Sequence, residues 1–201
     1  NEVLPRLRGK ATLIRYADDF VMVFPDRESA IRVQKVLPKR FARYGLTLHP
    51  DKTKLVEFRR PGPDDERGSG VFEFLGFTHY WGRSRKGLWI PKRKTAKDRF
   101  SRAWSAMNQW LKKARHLPIP KQARAIGAKL RGHFNYYGVR GNSIAINRFR
   151  YETKRLWKKW LGRRSQRARM NWEKFELLLN RHPLPLARLR VTRTQLQLAN
   201  V

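Results

Sequence analysis

Two short apolar runs flank a pair of adjacent carboxylates near the start of the chain. The runs cover residues 13–16 and 20–24, and Ala17, Asp18 and Asp19 lie between them. Such runs predict buried strands, so we expect a β-hairpin with the acids at its tip. Neighbouring carboxylates oppose each other's ionisation unless a cation is close, and Mg²⁺ prefers oxygen ligands of this kind. The pattern predicts a Mg²⁺ site at Asp18 and Asp19, although paired aspartates also occur in plain turns.

The charge of the chain indicates what it binds. Its 201 residues contain 47 Lys and Arg but only 15 Asp and Glu, which gives a formal net charge of +32. Charge of one sign repels itself in a compact state, so an excess this large indicates a surface that binds phosphates. A merely solvated basic face is the alternative. Seven Trp, six Tyr and eleven Phe argue against a disordered basic tail, because disordered segments contain few aromatic residues.

Several classes of protein are made less probable by what the sequence lacks. It contains no cysteine, so disulfides and thiolate zinc sites are excluded. Its five histidines show no paired ligand spacing, and we expect them to be structural or to face RNA. There is no apolar run as long as the roughly 18 residues of a membrane span and no signal-peptide pattern. We therefore expect a cytoplasmic protein without a membrane partner. The first residue is Asn1 rather than Met, which suggests a piece of a longer protein.

A helix is predicted directly after the hairpin. Asp26 or Ser29 can cap it, Pro38 predicts a kink or a restart, and Gly45 is expected to end it. Its core positions recur at helical spacing: Ala30, Val33, Leu37, Phe41 and Tyr44. The segments that follow are predicted as an extended piece at 46–48, a turn at 49–51, a strand at 54–58, an exposed loop at 60–70, a strand at 72–80, a basic turn at 82–87 and a returning strand at 88–90.

The second half of the chain has a different composition. Residues 91–170 contain 24 Lys and Arg but only two acids, which places a domain boundary near 91–94. Three helices are predicted: one over 95–114 with Thr95 and Asp98 as a capping box, one from Pro120 to a stop at Gly138, and one from 142 or 143 to Gly162. A short helix over 171–179 follows. The core positions predicted for the three longer helices are Phe100, Ala103, Trp104, Met107, Leu111, Ala114, Ile126, Leu130, Phe134, Tyr137, Ile146, Phe149, Thr153, Leu156, Trp157 and Trp160.

Basic residues along the third of these helices are expected to form a rail for a phosphate backbone. Others cluster at the basic turn and at the domain boundary. The RNA-binding candidates are Arg83, Arg85, Lys86, Lys92, Arg93, Lys94, Arg131, Arg148, Arg150, Lys154, Arg155, Lys158, Lys159, Arg163 and Arg164. The aromatic residues of these helices are assigned mostly to the core rather than to base stacking.

Four ordered motifs together resemble one protein family. YADD at 16–19 between two strands, YGLTLHPDKTKL at 44–55 and FEFLGF at 72–77 resemble successive motifs of reverse transcriptases. LRGHFNYYGV at 130–139 resembles the maturase-specific segment of group II intron reverse transcriptases. The resemblance implies an α+β fold, in which 1–92 is the end of the palm, 93–180 is a helical thumb or maturase domain of three helices, and 181–201 is a basic tail.

The same resemblance assigns roles to individual residues. Asp18 and Asp19 would hold Mg²⁺ for attack of a primer 3′-hydroxyl on a deoxynucleotide, and Lys52 would face the leaving pyrophosphate as a point charge or acid. A surface lysine is the alternative for Lys52. Tyr16, Ala17, Leu75 and Gly76 would contact nucleotide or primer, and a β-bulge is the alternative for Gly76.

The resemblance also implies a function and partners for the complete protein. It implies an RNA-directed DNA polymerase and splicing maturase that binds group II intron RNA, a DNA target or primer and deoxynucleotides. A third carboxylate and the fingers would precede this chain, so the chain alone is expected to bind RNA without polymerising. The alternative is a non-enzymatic RNA chaperone or scaffold of a ribonucleoprotein. The sequence leaves the oligomeric state open.

Overall fold

The computed structural model describes residues 11–62, 64–66, 68–165 and 169–190. The chain divides into two compact units, 1–92 and 93–201. Within the described residues it forms five strands and five helices, in the order β1 (Thr12–Tyr16), β2 (Asp19–Val23), α1 (Arg27–Ala42), β3 (Val71–Phe74), β4 (Phe77–Arg83), β5 (Trp89–Thr95), α2 (Lys97–Ala114), α3 (Ile119–Tyr137), α4 (Ser143–Leu161) and α5 (Trp172–Arg181). The predicted α+β class is confirmed.

Strands β1 and β2 form the expected antiparallel hairpin, with Tyr16 paired to Asp19 at its closed end. The prediction that both strands are buried is wrong, because all five residues of β1 are exposed and β2 has exposed ends and only half-buried residues between them. Leu13 and Ile14 are 43% and 50% exposed. An apolar sequence predicts a strand that favours burial, but it does not ensure that the described chain supplies a covering surface.

Helix α1 begins where its cap predicts. The side chain of Asp26 accepts a hydrogen bond of 2.7 Å from the backbone N–H of Ser29, and this bond lowers the pKa of the Asp26 carboxyl. Pro38 lies inside the helix, so the predicted restart there is wrong. The helix ends at Ala42, before Gly45, and Tyr44, which was predicted as a core residue, is 70% exposed.

The segment from 53 to 62 contains no strand, so the strand predicted at 54–58 is wrong. Side chains instead donate hydrogen bonds to some of the backbone carbonyl groups of this segment. Ser69 Oγ donates to the carbonyl of Arg59 at 3.0 Å, and Trp89 Nε1 donates to that of Gly62 at 3.0 Å. The ring of Phe58 packs against Phe72 and Trp81. Because these are side-chain interactions rather than a strand ladder, alternation of apolar residues alone gave the wrong element.

Strands β3, β4 and β5 form a three-stranded sheet in sequence order. The single strand predicted at 72–80 is divided by a two-residue turn, because Phe74 pairs with Phe77 and leaves Leu75 and Gly76 between them. Both turn residues have positive φ, +50° and +74°, which is the φ pattern of a type I′ hairpin turn. The β-bulge alternative for Gly76 is therefore wrong.

Helices α2, α3, α4 and α5 enclose the main apolar core. Its buried members are Met107, Leu111, Ile126, Leu130, Phe134, Ile146, Phe149, Leu156, Trp157, Trp160, Leu161, Phe175, Leu179 and Leu184. Most of the predicted core positions are confirmed, but Trp104 is 36% exposed. The short fourth helix completes this core, because Phe175 is fully buried against the ring of Trp157. The predicted three-helix unit therefore contains four helices within its described residues.

The capping box predicted at Thr95 and Asp98 does not form, because the N-cap of α2 is Ala96 and no side chain caps it. Thr95 is instead bonded to Asn142, at the start of α4. The Asn142 amide donates to Thr95 Oγ1 at 2.8 Å and to the carbonyl of Tyr137 at 2.8 Å, while its oxygen accepts the Thr95 N–H at 2.8 Å. Asn142 is 1% exposed, so a buried polar side chain joins the starts of two helices and the end of a third.

Residues 182–190, predicted as the beginning of a basic tail, are partly packed. Leu184 is 5% exposed and belongs to the core, and Arg150 Nε donates to the carbonyl of Pro185 at 2.8 Å. The rest of the predicted tail, 191–201, lies outside the described residues. None of the helices in the described part of the chain is both long and apolar enough to cross a membrane.

Candidate active site and nucleic-acid interface

The paired carboxylates lie at the closed end of the β1–β2 hairpin. Asp18 occupies the turn and Asp19 is the first residue of β2. The turn contains Ala17 at φ +52°, a left-handed conformation that is uncommon outside glycine. Arg15 Nε donates to the carbonyl of Ala17 at 2.8 Å, which fixes one side of the turn. Both carboxylates are exposed and accessible to a ligand from solvent.

The chemistry of these donors fits Mg²⁺. Two adjacent, exposed carboxylates supply hard oxygen ligands and leave room for the waters that Mg²⁺ retains. Among the described residues, no group of three or more His, Cys, Asp or Glu forms a candidate metal cluster. A complete set of three carboxylates, which the resemblance implies, would therefore need a contribution from outside these residues.

Lys52 lies in an irregular turn rather than at a strand end. The N–H groups of Lys52 and Thr53 both donate to the carbonyl of His49, at 3.2 and 3.0 Å, and Thr53 Oγ1 donates to the same oxygen. Its backbone is therefore held while its side chain is exposed. The structure shows no contact between Lys52 and the hairpin carboxylates among the described residues.

Leu75 and Gly76 form the tip of a second hairpin, in the sheet whose first strand lies beside β2. Positive φ at both positions produces the tight two-residue turn at this tip. Tyr16, which was predicted to contact nucleotide, is 67% exposed at the end of β1. The predicted substrate-contacting residues thus occupy two hairpin tips of the first unit.

Most of the first unit matches the model of a known protein family. Residues 1–79 match the family model for reverse transcriptase (RNA-dependent DNA polymerase). The match covers the carboxylate hairpin, α1, the turn at Lys52 and the β3–β4 tip, and it supports reverse-transcriptase-type nucleotidyl transfer at the level of the family. It covers less than half of the chain and ends before α2. No curated protein matches the sequence.

The predicted RNA-binding residues differ in how available their side chains are. Arg150 and Arg164 donate to backbone carbonyls: Arg150 to Pro185, and Arg164 to Arg115 and Leu117 at 2.6 Å each. Because both guanidinium groups are engaged within the second unit, the rail predicted along and past α4 is shorter than its charge pattern indicates.

The basic turn between β4 and β5 leaves its cations exposed. The N–H of Ser84 donates to the carbonyl of Leu88 at 2.8 Å, which closes the turn, and Arg85 and Lys86 are exposed at its tip. Lys92 Nζ donates to the carbonyl of Arg83. Partial burial lowers the pKa of Arg93, whose Nε donates to the carbonyl of Arg140. Arg85 and Lys86 are therefore better placed for phosphate contact than Lys92 and Arg93, whose side chains donate to backbone carbonyls.

Two aromatic residues that the sequence did not single out accompany the cations of α4. Tyr151 is 56% exposed and lies under the Arg155 guanidinium, and Trp172 is 47% exposed with Lys158 Nζ 4.7 Å from its ring. Helical spacing could have identified Tyr151 as exposed, because position 151 falls on the face opposite the buried positions of α4. Exposed aromatic rings beside cations are a common feature of single-strand binding surfaces.

The histidine of the maturase-like segment is a packing residue. The His133 ring stacks on Phe149 with centroids 3.8 Å apart and lies 4.7 Å from the Tyr137 ring. Its Nε2 is buried, with no hydrogen-bond partner among the described residues. Burial lowers the pKa of His133 to about 4, so the ring is neutral at pH 7.

This packing predicts a pH-dependent stability. The unfolded state binds a proton at His133 below about pH 6.5 and the folded state does so only near pH 4, so stability is lost as pH falls through that window. Allowing for partial exposure, we expect the unfolding free energy to drop by about 1–2 kcal/mol between pH 7.5 and pH 5. Urea titrations at both pH values measure this drop. His133→Phe should remove this pH-dependent loss of stability, whereas the exposed His116→Gln should leave it unchanged. An equal drop in the wild type and both variants would contradict its assignment to His133.

Proposed function

We propose that this chain is part of an RNA-directed DNA polymerase and splicing maturase of the group II intron type. The observation that carries the proposal is the pair of exposed carboxylates, Asp18 and Asp19, at a hairpin tip inside the region that matches reverse transcriptase. The helical unit that follows contains the segment at 130–139 that resembles the maturase-specific sequence, which supports the finer assignment.

The residues of the first unit have separate tasks in this proposal. Asp18 and Asp19 would hold Mg²⁺, which when bound stabilises the charge of a phosphoryl group under attack. The Lys52 ammonium would place a positive charge near the departing pyrophosphate or give it a proton. Tyr16 and Ala17 would contact the incoming nucleotide. Leu75 and Gly76 would contact the end of the primer, where a sharp turn allows close approach of a nucleic-acid backbone.

The second unit would supply most of the affinity for RNA. Exposed cations on α4, accompanied by the rings of Tyr151 and Trp172, combine charge with stacking surfaces. Because this surface does not involve the carboxylates, a non-enzymatic RNA chaperone is the second candidate function. The two functions are compatible in one protein.

RNA recognition is tested by binding of the chain to a folded group II intron RNA and to a scrambled RNA of equal length, across a salt series. We expect tighter binding of the folded intron, and we expect the preference to persist at higher salt, because shape contacts are less screened than phosphate contacts. Equal affinities that fall steeply together would contradict the maturase assignment and leave a charge-driven RNA binder.

The metal is tested separately in the full-length protein. Extension of a DNA primer on an RNA template should stop when Mg²⁺ is chelated and resume when it is restored, because the carboxylates alone cannot neutralise a phosphoryl transition state. Extension that continues after chelation would contradict the proposed role of Asp18 and Asp19.

A further inference from the structure

A basic groove lies between α3 and the extended segment 182–190. Arg131 and Asn135 line it from α3, and Arg188 and Arg190 line it from the segment. Phe134 and Pro185 add apolar atoms to its lining, and its volume is about 270 Å³. These residues define what we call the arginine groove. Three of its four polar members, Asn135, Arg188 and Arg190, have no role in the function proposed above.

The segment that forms one wall is held in place at several points. Arg150 donates to the carbonyls of Leu184 and Pro185, and the N–H of Arg190 donates to the carbonyl of Gly138 at 2.6 Å. Gly138 also permits the close approach, because a Cβ there would lie 2.8 Å from the carbonyl oxygen of Arg188. The wall is therefore part of the folded unit, which makes the groove a built feature rather than a chance gap beside a tail.

The charges of the groove are not balanced. None of its lining residues is acidic. The three guanidinium groups make no hydrogen bond or ion pair within the part of the chain that the structure describes, in contrast to Arg150 and Arg164. Guanidinium donors have a fixed fork geometry that suits phosphate oxygens, and three in one groove concentrate positive potential. An anion with several oxygen acceptors would satisfy them.

We propose that the arginine groove binds a phosphodiester of an RNA strand. The guanidinium groups of Arg131, Arg188 and Arg190 would bind the phosphate oxygens, and the Asn135 amide would bond to a phosphate oxygen or a ribose 2′-hydroxyl. The volume suits one backbone phosphate with part of its sugar better than a whole drug-sized ligand. The inference rests on the proposed function in one respect, which is that the chain binds RNA.

Two isosteric substitutions test the groove at equal net charge. Asn135→Asp places a carboxylate among the three arginines, whereas Asn180→Asp places one on the exposed surface of α5, away from the groove lining. Both positions are exposed and both changes keep the size of the side chain. RNA affinity of the whole chain is measured by fluorescence anisotropy with a labelled RNA at several salt concentrations. Thermal unfolding of both variants confirms that the fold is retained.

We expect Asn135→Asp to weaken RNA binding about tenfold and Asn180→Asp less than twofold. Only the carboxylate at position 135 can pair with the arginines of the groove and repel a phosphate there. Arg188→Gln should weaken binding about fivefold and lower the slope of log affinity against log salt by about 0.7, the value for one contact to a single strand. The exposed Arg124→Gln, outside the groove, should change the affinity less than twofold.

The results separate this inference from the function on which it rests. Wild-type binding with equal losses in Asn135→Asp and Asn180→Asp would overturn the groove but leave RNA binding intact. If the wild-type chain bound no RNA, both the groove and the RNA-binding part of the proposed function would be wrong.

Discussion

Asp18→Asn is expected to reduce DNA synthesis by the full-length protein by about 10³-fold or more, while RNA affinity stays within twofold. Asparagine keeps the size of the side chain and the exposed turn position, but it removes the negative charge that Mg²⁺ requires. The cations proposed to bind RNA lie elsewhere in the sequence, so the second measurement should be insensitive to the change. Primer extension on an RNA template and anisotropy with the same RNA give the two values.

The chain contains a matched control for this substitution. Asp64 and Asp65 form another adjacent pair in the first unit, in an irregular loop where the Asp65 side chain accepts the N–H of Gly62. Asp64→Asn changes the charge equally and should leave DNA synthesis within twofold. If Asp18→Asn reduced RNA binding as much as synthesis, the carboxylate would not be a separate catalytic element. Unchanged synthesis would favour the RNA chaperone as the main function.

Gln122→Leu is expected to lower the unfolding free energy by about 3 kcal/mol. Gln122 is 1% exposed and joins three elements. Its amide donates to the carbonyls of Arg115 and Leu117, and its oxygen accepts Trp157 Nε1–H at 2.9 Å. Leucine has a similar volume but leaves the buried indole N–H without an acceptor, which costs about 1–3 kcal/mol by itself. Urea denaturation followed by tryptophan fluorescence measures the loss.

Gln109→Leu is the control, because Gln109 is exposed on α2 and the same chemical change there should alter stability by less than about 0.5 kcal/mol. Gln122→Glu is a second variant that keeps an acceptor for the indole but places a carboxylate against two carbonyls, so it should also be destabilising. Stability of Gln122→Leu within about 0.5 kcal/mol of wild type would show that the hydrogen bonds to Gln122 contribute little net energy.

The sequence predicted the elements better than their surroundings. The starts of α1 and α5 were readable because Asp26 and Asn171 are strong N-caps, and in both the side chain accepts a backbone N–H. The core of the helical unit was readable from spacing alone, because apolar residues recur on one face of each helix. The α2 start was misjudged because Thr95 has a distant partner, Asn142, which no local pattern reveals.

The site was predictable to a different extent. Paired aspartates between two apolar runs specify a hairpin tip locally, so the position of Asp18 and Asp19 at such a tip was predictable from their neighbours in sequence. Which basic side chains are available to bind RNA was not predictable. Arg150 and Arg164 donate hydrogen bonds to carbonyls that lie 35 and 47–49 residues away in sequence. The groove walls were missed for the same reason, since α3 meets 182–190 only after folding.

The exposed β1 strand affects how this protein behaves in solution. A row of uncovered apolar residues on a two-stranded ribbon is a surface through which separate molecules can associate. The net charge of +32 opposes such association at low ionic strength, but salt screens that repulsion within about 8 Å at physiological ionic strength. Raising the salt concentration should therefore weaken the proposed RNA binding and favour self-association at the same time. Sedimentation of the protein alone at each salt concentration distinguishes the two effects.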